Sequence, residues 1–427
     1  MQKTFIKECI SEFIKLNLPV KTQEKKTHGE VFTPEELINE MLDKLPNEVW
    51  SNPNLKWFDP AVGVGNFLLL VYQRLQKGLK ISDKKKHEHI VNKMLYMSEL
   101  NPTNVNKCKE WGFINIHEGD TLELNIKEKW GFDKFDIIVG NPPYQGTGRK
   151  KIYINFIEYS VINLDLNGIL LYITPQLAIN YLLGNEISQK KIDRLYNIKY
   201  INISDNIKEK YFKNIGSDFV YYYLIKNDYR EEHYTKIIYK NNKEDKLKLK
   251  FKSIISFDNK IHNDILNKLI NTQNNEWGRK AARINDDLKS HPEGEYINKI
   301  VYKIKNEIEY RYTKKTHPDY KKYKVLYPTL GNKYIIDKER NLFPGTSFVV
   351  YMVCDSLKEC ENILKLKDSN LFKYLINIFK NQRSPIDYIW KNLKKPSIFD
   401  LDINNDDDIY KYFNLTKNEI KLIEDSV

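Results

Sequence analysis

The chain has 427 residues, 41% hydrophobic and 13% aromatic, which allows two or three domains with large cores and excludes a disordered polymer. Lys+Arg 69 against Asp+Glu 57 gives a formal charge of +12. That balance suits a polyanionic partner, although the wealth of Lys, Asn, Ile and Tyr reads as the codon bias of an AT-rich genome and inflates the lysine count.

Phe5, Ile6, Cys9, Ile10, Phe13 and Ile14 recur at helical spacing with charges between them. Residues 1–27 therefore read as an N-terminal helical segment and not as a signal peptide. No apolar run approaches the ~20 residues of a membrane span, so a soluble, cytoplasmic protein without membrane association is expected. From residue 28 to 228, strand-like apolar runs alternate with helical periodicity. The strands expected are 56–58, 94–98, 114–117, 135–139, 168–173, 198–203 and 219–225, and the clearest helix runs from Phe67 to Leu75. This is the βαβ rhythm of an open, mostly parallel sheet.

Four of these strands end in polar clusters. The first leads into Asp59-Pro60-Ala61-Val62-Gly63-Val64-Gly65-Asn66-Phe67, a two-glycine loop that enters an apolar helix and lets a ligand approach the backbone. The third glycine of the dinucleotide fingerprint is missing. The second strand ends in Glu99-Leu100, a carboxylate suited to paired ribose hydroxyls. The third is followed by Asp120-Thr121, where a carboxylate can accept from an adenine amino group. The fourth, Phe135 to Val139, runs through Gly140 into Asn141-Pro142-Pro143-Tyr144. Two prolines cannot continue a ladder, so the strand ends in a rigid polar elbow with an aromatic at its tip. Between the first two clusters, the basic stretch Lys77 to Lys93 reads as a solvated loop, His87 and His89 included.

Polar residues 227–245 mark an expected domain junction, and residues 229–427 read as a separate, irregular α+β domain. Lys246 to Lys252 alternates lysine with apolar residues. As a strand it would present Lys246, Lys248 and Lys250 on one face, either as a row of phosphate contacts or as a lysine-guarded sheet edge. Arg279, Lys280 and Arg283 form a second basic cluster. Arg311, Lys314 and Lys315 are interleaved with tyrosines, a mixture that suits a nucleic-acid surface. Near the end, Asp406 to Asp408 and the pair Thr416/Glu419 look like helix starts. Four cysteines without a C-x-x-C pair and eight histidines without H-E-x-x-H leave neither a disulfide framework nor a metal site expected.

The residues FDPAVGVGNFL and NPPY, with Gly29-Glu30-Val31-Phe32-Thr33-Pro34 upstream, resemble the S-adenosylmethionine-dependent adenine-N6 DNA methyltransferases. The order of the segments resembles the gamma class found in restriction–modification systems. The resemblance is specific over residues 28 to about 226 and diffuse beyond. It implies a Rossmann-like methyltransferase fold with a mostly parallel seven-stranded sheet, followed by a target-recognition domain. It also implies S-adenosyl-L-methionine as cofactor, held at its methionine end by Phe32, Thr33 and Pro34 and by the loop residues Asp59, Pro60, Ala61, Gly63, Gly65 and Phe67. Glu99, Leu100, Asp120, Thr121, Asn141 and Pro143 would complete that site. Double-stranded DNA is the implied partner of a monomer or dimer, with room for a separate cognate restriction endonuclease. Asn141, Pro142, Pro143 and Tyr144 become the catalytic elbow acting on an extruded adenine. Phe212, with Tyr211 the alternative, takes the place of the second aromatic against that base. The same tetrapeptide also serves enzymes acting on RNA adenines and on protein glutamines. The upstream Thr-Pro segment and the long C-terminal region favour DNA.

Overall fold

The computed structural model describes residues 33–144, 151–184, 195–204, 207–212, 218–228, 233–249, 260–271, 287–380, 384–395 and 402–427, with a few single positions between them. The chain divides into two compact units, the boundary along the sequence falling at residues 253–260.

The first unit is α/β. Helix α1 (Glu35–Leu42) precedes strand β1 (Trp57–Asp59), helix α2 (Asn66–Gly78), helix α3 (Asp83–His89) and β2 (Leu95–Glu99). Then come α4 (Pro102–Glu110), β3 (Ile116–Glu118), α5 (Ile126–Trp130), β4 (Phe135–Gly140), α6 (Ile152–Asn163) and β5 (Leu164–Pro175). Helix α7 (Ala178–Leu182) and strands β6 (Tyr196–Asn202), β7 (Phe219–Lys226), β8 (Thr235–Ile238) and β9 (Glu244–Leu247) complete it. The strands form one sheet in the order β3-β2-β1-β4-β5-β7-β6-β8-β9. β7 runs antiparallel between β5 and β6, while β1 pairs in parallel with both β2 and β4. The strand order therefore reverses beside β1, and the crevice at the carboxyl ends there is where such sheets take ligands.

All seven expected strands are present. The sheet has nine strands, not seven, because β8 and β9 extend its edge beyond β6. Residues 229–247 thus belong to the first unit, and the polar stretch after residue 226 marks a hairpin, not the domain junction. Polar composition misled because β9 is an edge strand with exposed Glu244 and Lys246, the kind of strand that natural sheets keep charged. Of the expected strand Lys246 to Lys252, Lys246 and Leu247 lie in β9 (Glu244–Leu247), Lys248 and Leu249 follow it outside any strand, and residues 250–252 lie outside the described residues. The basic stretch after Lys77 is no loop either. It holds α3, in which Lys86 is buried, pairs with Asp83 and donates to the Gln76 carbonyl, while His87 meets the Tyr72 hydroxyl at 2.9 Å.

The core explains the sheet. Trp57, Met97, Ile137 and Ile173 from four strands are buried with Leu68, Leu69, Val71 and Leu75 of α2. Each such side chain contributes about 1.5–3 kcal/mol by leaving water. Phe58 stacks on Phe135 with ring centroids 4.3 Å apart, tying β1 to β4. Helix starts follow local chemistry. Asn101 accepts from Thr103 N ahead of Pro102 at the start of α4, and Asn125 caps α5, which ends on Gly131.

The second unit is α+β, as expected. It holds α8 (Lys260–Leu269), β10 (Arg279–Ala281), β11 (Asn298–Ile304), β12 (Ile308–Thr313), β13 (Tyr323–Pro328), β14 (Ile335–Ile336), β15 (Phe343–Pro344) and β16 (Val349–Cys354). Helices α9 (Leu357–Asp368), α10 (Asn370–Ile378), α11 (Pro385–Asn392), α12 (Asp406–Tyr412) and α13 (Lys417–Asp425) follow. One sheet is β10-β16-β13-β14 and the other β12-β11-β15. Ile300, Val301, Leu326 and Tyr351 pack between them, and Trp277, Phe372 and Trp390 anchor the helical side. The expected capping box of Thr416 with Glu419 is formed at α13, and three aspartates occupy the first turn of α12 behind the cap residue Asn405.

Candidate active site

The four polar clusters meet at the carboxyl edge of the first sheet. β1 ends in Asp59, whose Oδ1 accepts from Ala61 N at 3.0 Å and turns the chain into the glycine loop. Burial pushes this carboxyl up to about 8, against the Ala61 hydrogen bond and with the help of the Glu99 charge. From the end of β2, Glu99 reaches across: its Oε2 accepts from Gly63 N and its Oε1 from Asn101 N, both at 2.8 Å. Gly63 has a φ of +57°, and no atom lies within 4 Å of where a Cβ would stand. α2 begins at the next turn with no side-chain cap, so its first N–H groups face the loop. The Asn66 Oδ1 is buried there without a hydrogen-bond partner among the described residues.

Beyond β3, Asp120 is exposed and caps a short turn through Leu122 N at 2.9 Å, while Thr121 is buried, donates to the Pro60 carbonyl at 2.5 Å and lies in hydrogen-bond contact with Ser98 Oγ at 2.7 Å. Leu100 stands exposed at the mouth, whereas Phe67 and Pro60 are buried, the former in the core beneath the loop.

The elbow follows β4. Gly140 presses against β1 so closely that a Cβ would fall 2.8 Å from Asp59 Oδ1. Asn141 Nδ2 donates to Thr33 Oγ1 at 2.9 Å, and Tyr144 Oη donates to Asn141 Oδ1 at 2.6 Å. The amide is thus held from both sides, with Thr33 buried and Pro34 capping α1. Pro142 is buried, and Pro143 and Tyr144 are half-buried. The Tyr144 ring lies 5.6 Å from Phe219, and Phe219 lies 4.4 Å from Phe212. Phe212 is itself buried in the core cluster. Tyr211 lies in a separate cavity of about 280 Å³ over β6 and β8, with Glu40, Tyr200 and Asn202.

Two contributors were missed by the sequence reading. Phe219 joins the two expected aromatics, and Glu40 of α1 accepts from Tyr221 Oη at 2.7 Å, pinning α1 against β7. A lone acid on an amphipathic helix carries no signal of that role. Phe219 is the first residue of β7, and only its position at the same sheet edge would have marked it.

The residues expected to meet DNA are divided. Lys246 and Lys248 are exposed, with Lys248 over the Tyr234 ring. Lys280 is tied to buried Asp319 at 2.6 Å, and Arg311 pairs with Glu309 at 2.5 Å while lying over Tyr302. Lys314 and Lys315 are exposed. Phe32, Lys250, Arg283 and the Arg279 side chain lie outside the described residues. Among the described residues no group of His, Cys, Asp and Glu could hold a metal ion, and no helix is long and apolar enough to cross a membrane.

Residues 17–164 match the family model described as N-6 DNA methylase. An uncharacterized adenine-specific methylase of Mycoplasma pneumoniae is 26% identical over 319 residues, covering 54% of this chain and 74% of the relative. Among solved structures, one described as a modification subunit of a type I restriction enzyme from Vibrio vulnificus is 14% identical with a TM-score of 0.41, covering 62% of this chain and 57% of that one. The type I restriction enzyme EcoKI M protein is 16% identical with a TM-score of 0.37, covering 49% and 48%. The chain thus spans about half the length of these two structures. The glycine loop and the elbow both fall within residues 17–164, the segment that is similar to the N-6 DNA methylase model.

Proposed function

We propose that this chain methylates the N6 of an adenine extruded from duplex DNA, using S-adenosyl-L-methionine and the gamma-class arrangement of motifs, within a restriction–modification or DNA-protection system. The observation that carries the reading is the Asn141 amide, clamped between Thr33 and Tyr144 directly beyond β4.

The glycine loop fits the cofactor. Among the described residues no atom lies within 4 Å of a Cβ built on Gly63 and none bonds the Asn66 oxygen, and the Glu99 carboxylate stands at the end of β2 where ribose hydroxyls would reach it. Asp120 is exposed and placed for an adenine amino group, and Thr33 and Pro34 close the methionine end. When bound, the cofactor supplies the methyl group as an electrophilic sulfonium.

The chain's own residues do the rest. An adenine amino group is a poor nucleophile because its lone pair is delocalised into the ring. The Asn141 oxygen and the Pro142 carbonyl are the acceptors for its two hydrogens, drawing the nitrogen toward tetrahedral geometry. The two prolines hold the backbone, so little reorganisation is needed during reaction. Tyr144 offers its ring to one face of the base and Phe212 to the other, which places the base at the aromatic cluster around Phe219 and requires it to leave the duplex stack. The second unit is the proposed target-recognition domain; Lys314 and Lys315 of this unit and Lys246 and Lys248 of the first unit are the proposed phosphate contacts, and a separate endonuclease is an allowed partner.

The test is incubation of the full chain with tritiated cofactor and, in parallel, duplex DNA, RNA and glutamine-bearing protein, followed by nucleoside analysis. Label in N6-methyladenine of DNA is expected. Preferential labelling of RNA or protein refutes the reading.

A further inference from the structure

The second unit carries an apolar tip that the catalytic reading leaves unexplained. Leu330 and Phe348 are each 70% exposed, more than any other large apolar side chain among the described residues. They stand together, because Pro328 of β13 pairs with Val349 of β16 and Thr329 N donates to the Phe348 carbonyl at 2.9 Å.

The tip is braced. Gly345 N bonds the Val301 carbonyl at 2.9 Å, Thr346 Oγ1 the Tyr302 carbonyl at 3.0 Å, and Lys333 Nζ the Asn306 carbonyl at 2.7 Å, while Ser384 Oγ donates to the Thr329 carbonyl. Two large apolar side chains are therefore held in water by a fixed backbone. Leaving them there forfeits the favourable burial of both side chains, which a contact surface explains and an idle loop does not.

The surroundings identify the partner by charge. Between Tyr296 and Phe348 the chain has twelve lysines and arginines against five acids. Of those acids, Asp319 and Asp337 are buried in ion pairs with lysines, and Glu309 is held by Arg311. Lys303, Lys305 and Lys333 are exposed, and Tyr302 lies beside the bracing bonds under Arg311. An apolar protein partner would have to desolvate this lysine rim, whereas a duplex presents phosphates on both sides of every base step.

We propose that Leu330 and Phe348 form a wedge that inserts between adjacent base pairs of duplex DNA, with the surrounding cations on the flanking phosphates. Apolar wedges of this kind partly unstack a step and unwind the duplex. The proposal rests on DNA being the substrate.

Relaxation of plasmid DNA by a topoisomerase in the presence of the full chain tests it without knowledge of the target site. Wild-type protein should leave the relaxed plasmid with a lowered linking number. Leu330→Ser/Phe348→Ser should bind the plasmid with an unchanged melting temperature, because both side chains are exposed, and should lose the linking-number shift. Leu330→Met/Phe348→Trp should restore it. Equal unwinding by the serine variant overturns the wedge, as does wild-type binding without unwinding. Methyl transfer to plasmid adenine, measured in parallel, separates the two readings: methylation without unwinding removes the wedge alone, and unwinding without methylation removes the proposed activity alone. A wild-type mass twice that of the serine variant in light scattering also overturns the wedge and makes the tip an interface between copies.

Discussion

Gly140→Ala is the sharpest test of how the fold supports the elbow. The new Cβ would lie 2.8 Å from Asp59 Oδ1 and 3.2 Å from its Cγ. Asp59 has little room to yield: it is 2% exposed, its Oδ1 is held by Ala61 N, and β1 is paired on both sides. Overpacking of this kind costs about 1–3 kcal/mol. The φ of +154° at Gly140 is a region that other residues occupy at about 1–3 kcal/mol. The two together give an expected loss of roughly 3 kcal/mol. In an Asp59→Ala background the contact is gone and only the backbone cost remains, so the cycle should show a coupling of at least about 1 kcal/mol. Because the chain has two units, amide hydrogen exchange along β1 and β4 is the suitable readout, reporting the first unit by itself. An identical Gly140→Ala cost in both backgrounds would refute the claim that close approach to Asp59 dictates the glycine.

Asn141→Ala should reduce methyl transfer on the order of 10²–10³-fold, by analogy with loss of a preorganised donor in an oxyanion hole, while calorimetry shows a much smaller loss of cofactor affinity. Thr33→Val should cost less, about 1 kcal/mol or roughly fivefold in kcat, because it removes only the bond that orients Asn141; a value equal to that of Asn141→Ala would mean Thr33 does something more direct. Asp59 makes stability depend on pH: its carboxyl is raised to about 8 in the folded state from 3.8, so the folded state binds the extra proton, and the stability present below pH 3.8 is lost as pH rises through about 8. Urea midpoints at pH 5 and pH 8 should therefore fall further in wild-type protein than in Asp59→Asn, and parallel lines would remove Asp59 as the cause. Phe212→Ala should brighten a 2-aminopurine placed at the target adenine, since base–aromatic stacking contributes about 1–3 kcal/mol; a lowered melting temperature with unchanged fluorescence per complex would leave Phe212 a core residue only.

The seven strands from Trp57 to Lys226 were legible because buried parallel strands read as unbroken apolar runs between helical periodicities. The loop and the elbow were legible because glycines and prolines in fixed positions restrict the backbone wherever the chain goes. Strand β9 was hidden for the opposite reason. As the edge strand it meets water, so its composition matches that of a linker, and β8 beside it is only four residues long. Lys280 shows the same limit at the scale of one residue. Its sequence context is a basic cluster, yet its charge is spent on Asp319, which lies in the loop before β13, 39 residues away. Ion pairs of that span leave no local pattern.

The elbow itself shows what tertiary structure adds to a motif. Asn141 could be named as an acceptor from NPPY alone, but an amide on a free loop would be a poor catalyst, since it would have to be ordered in every turnover. Here the ordering is already in place. Thr33 Oγ1 accepts from the amide nitrogen. Tyr144, three residues on, meets the amide oxygen with its hydroxyl. Gly140 brings the same turn against Asp59, and Glu99 joins the glycine loop to β2. Residues 33, 59, 99 and 141 are far apart in the chain. A parallel sheet delivers residues 59, 99 and 141 at the ends of β1, β2 and β4 to one edge, and a hydrogen bond ties Thr33, just before α1, to Asn141 there.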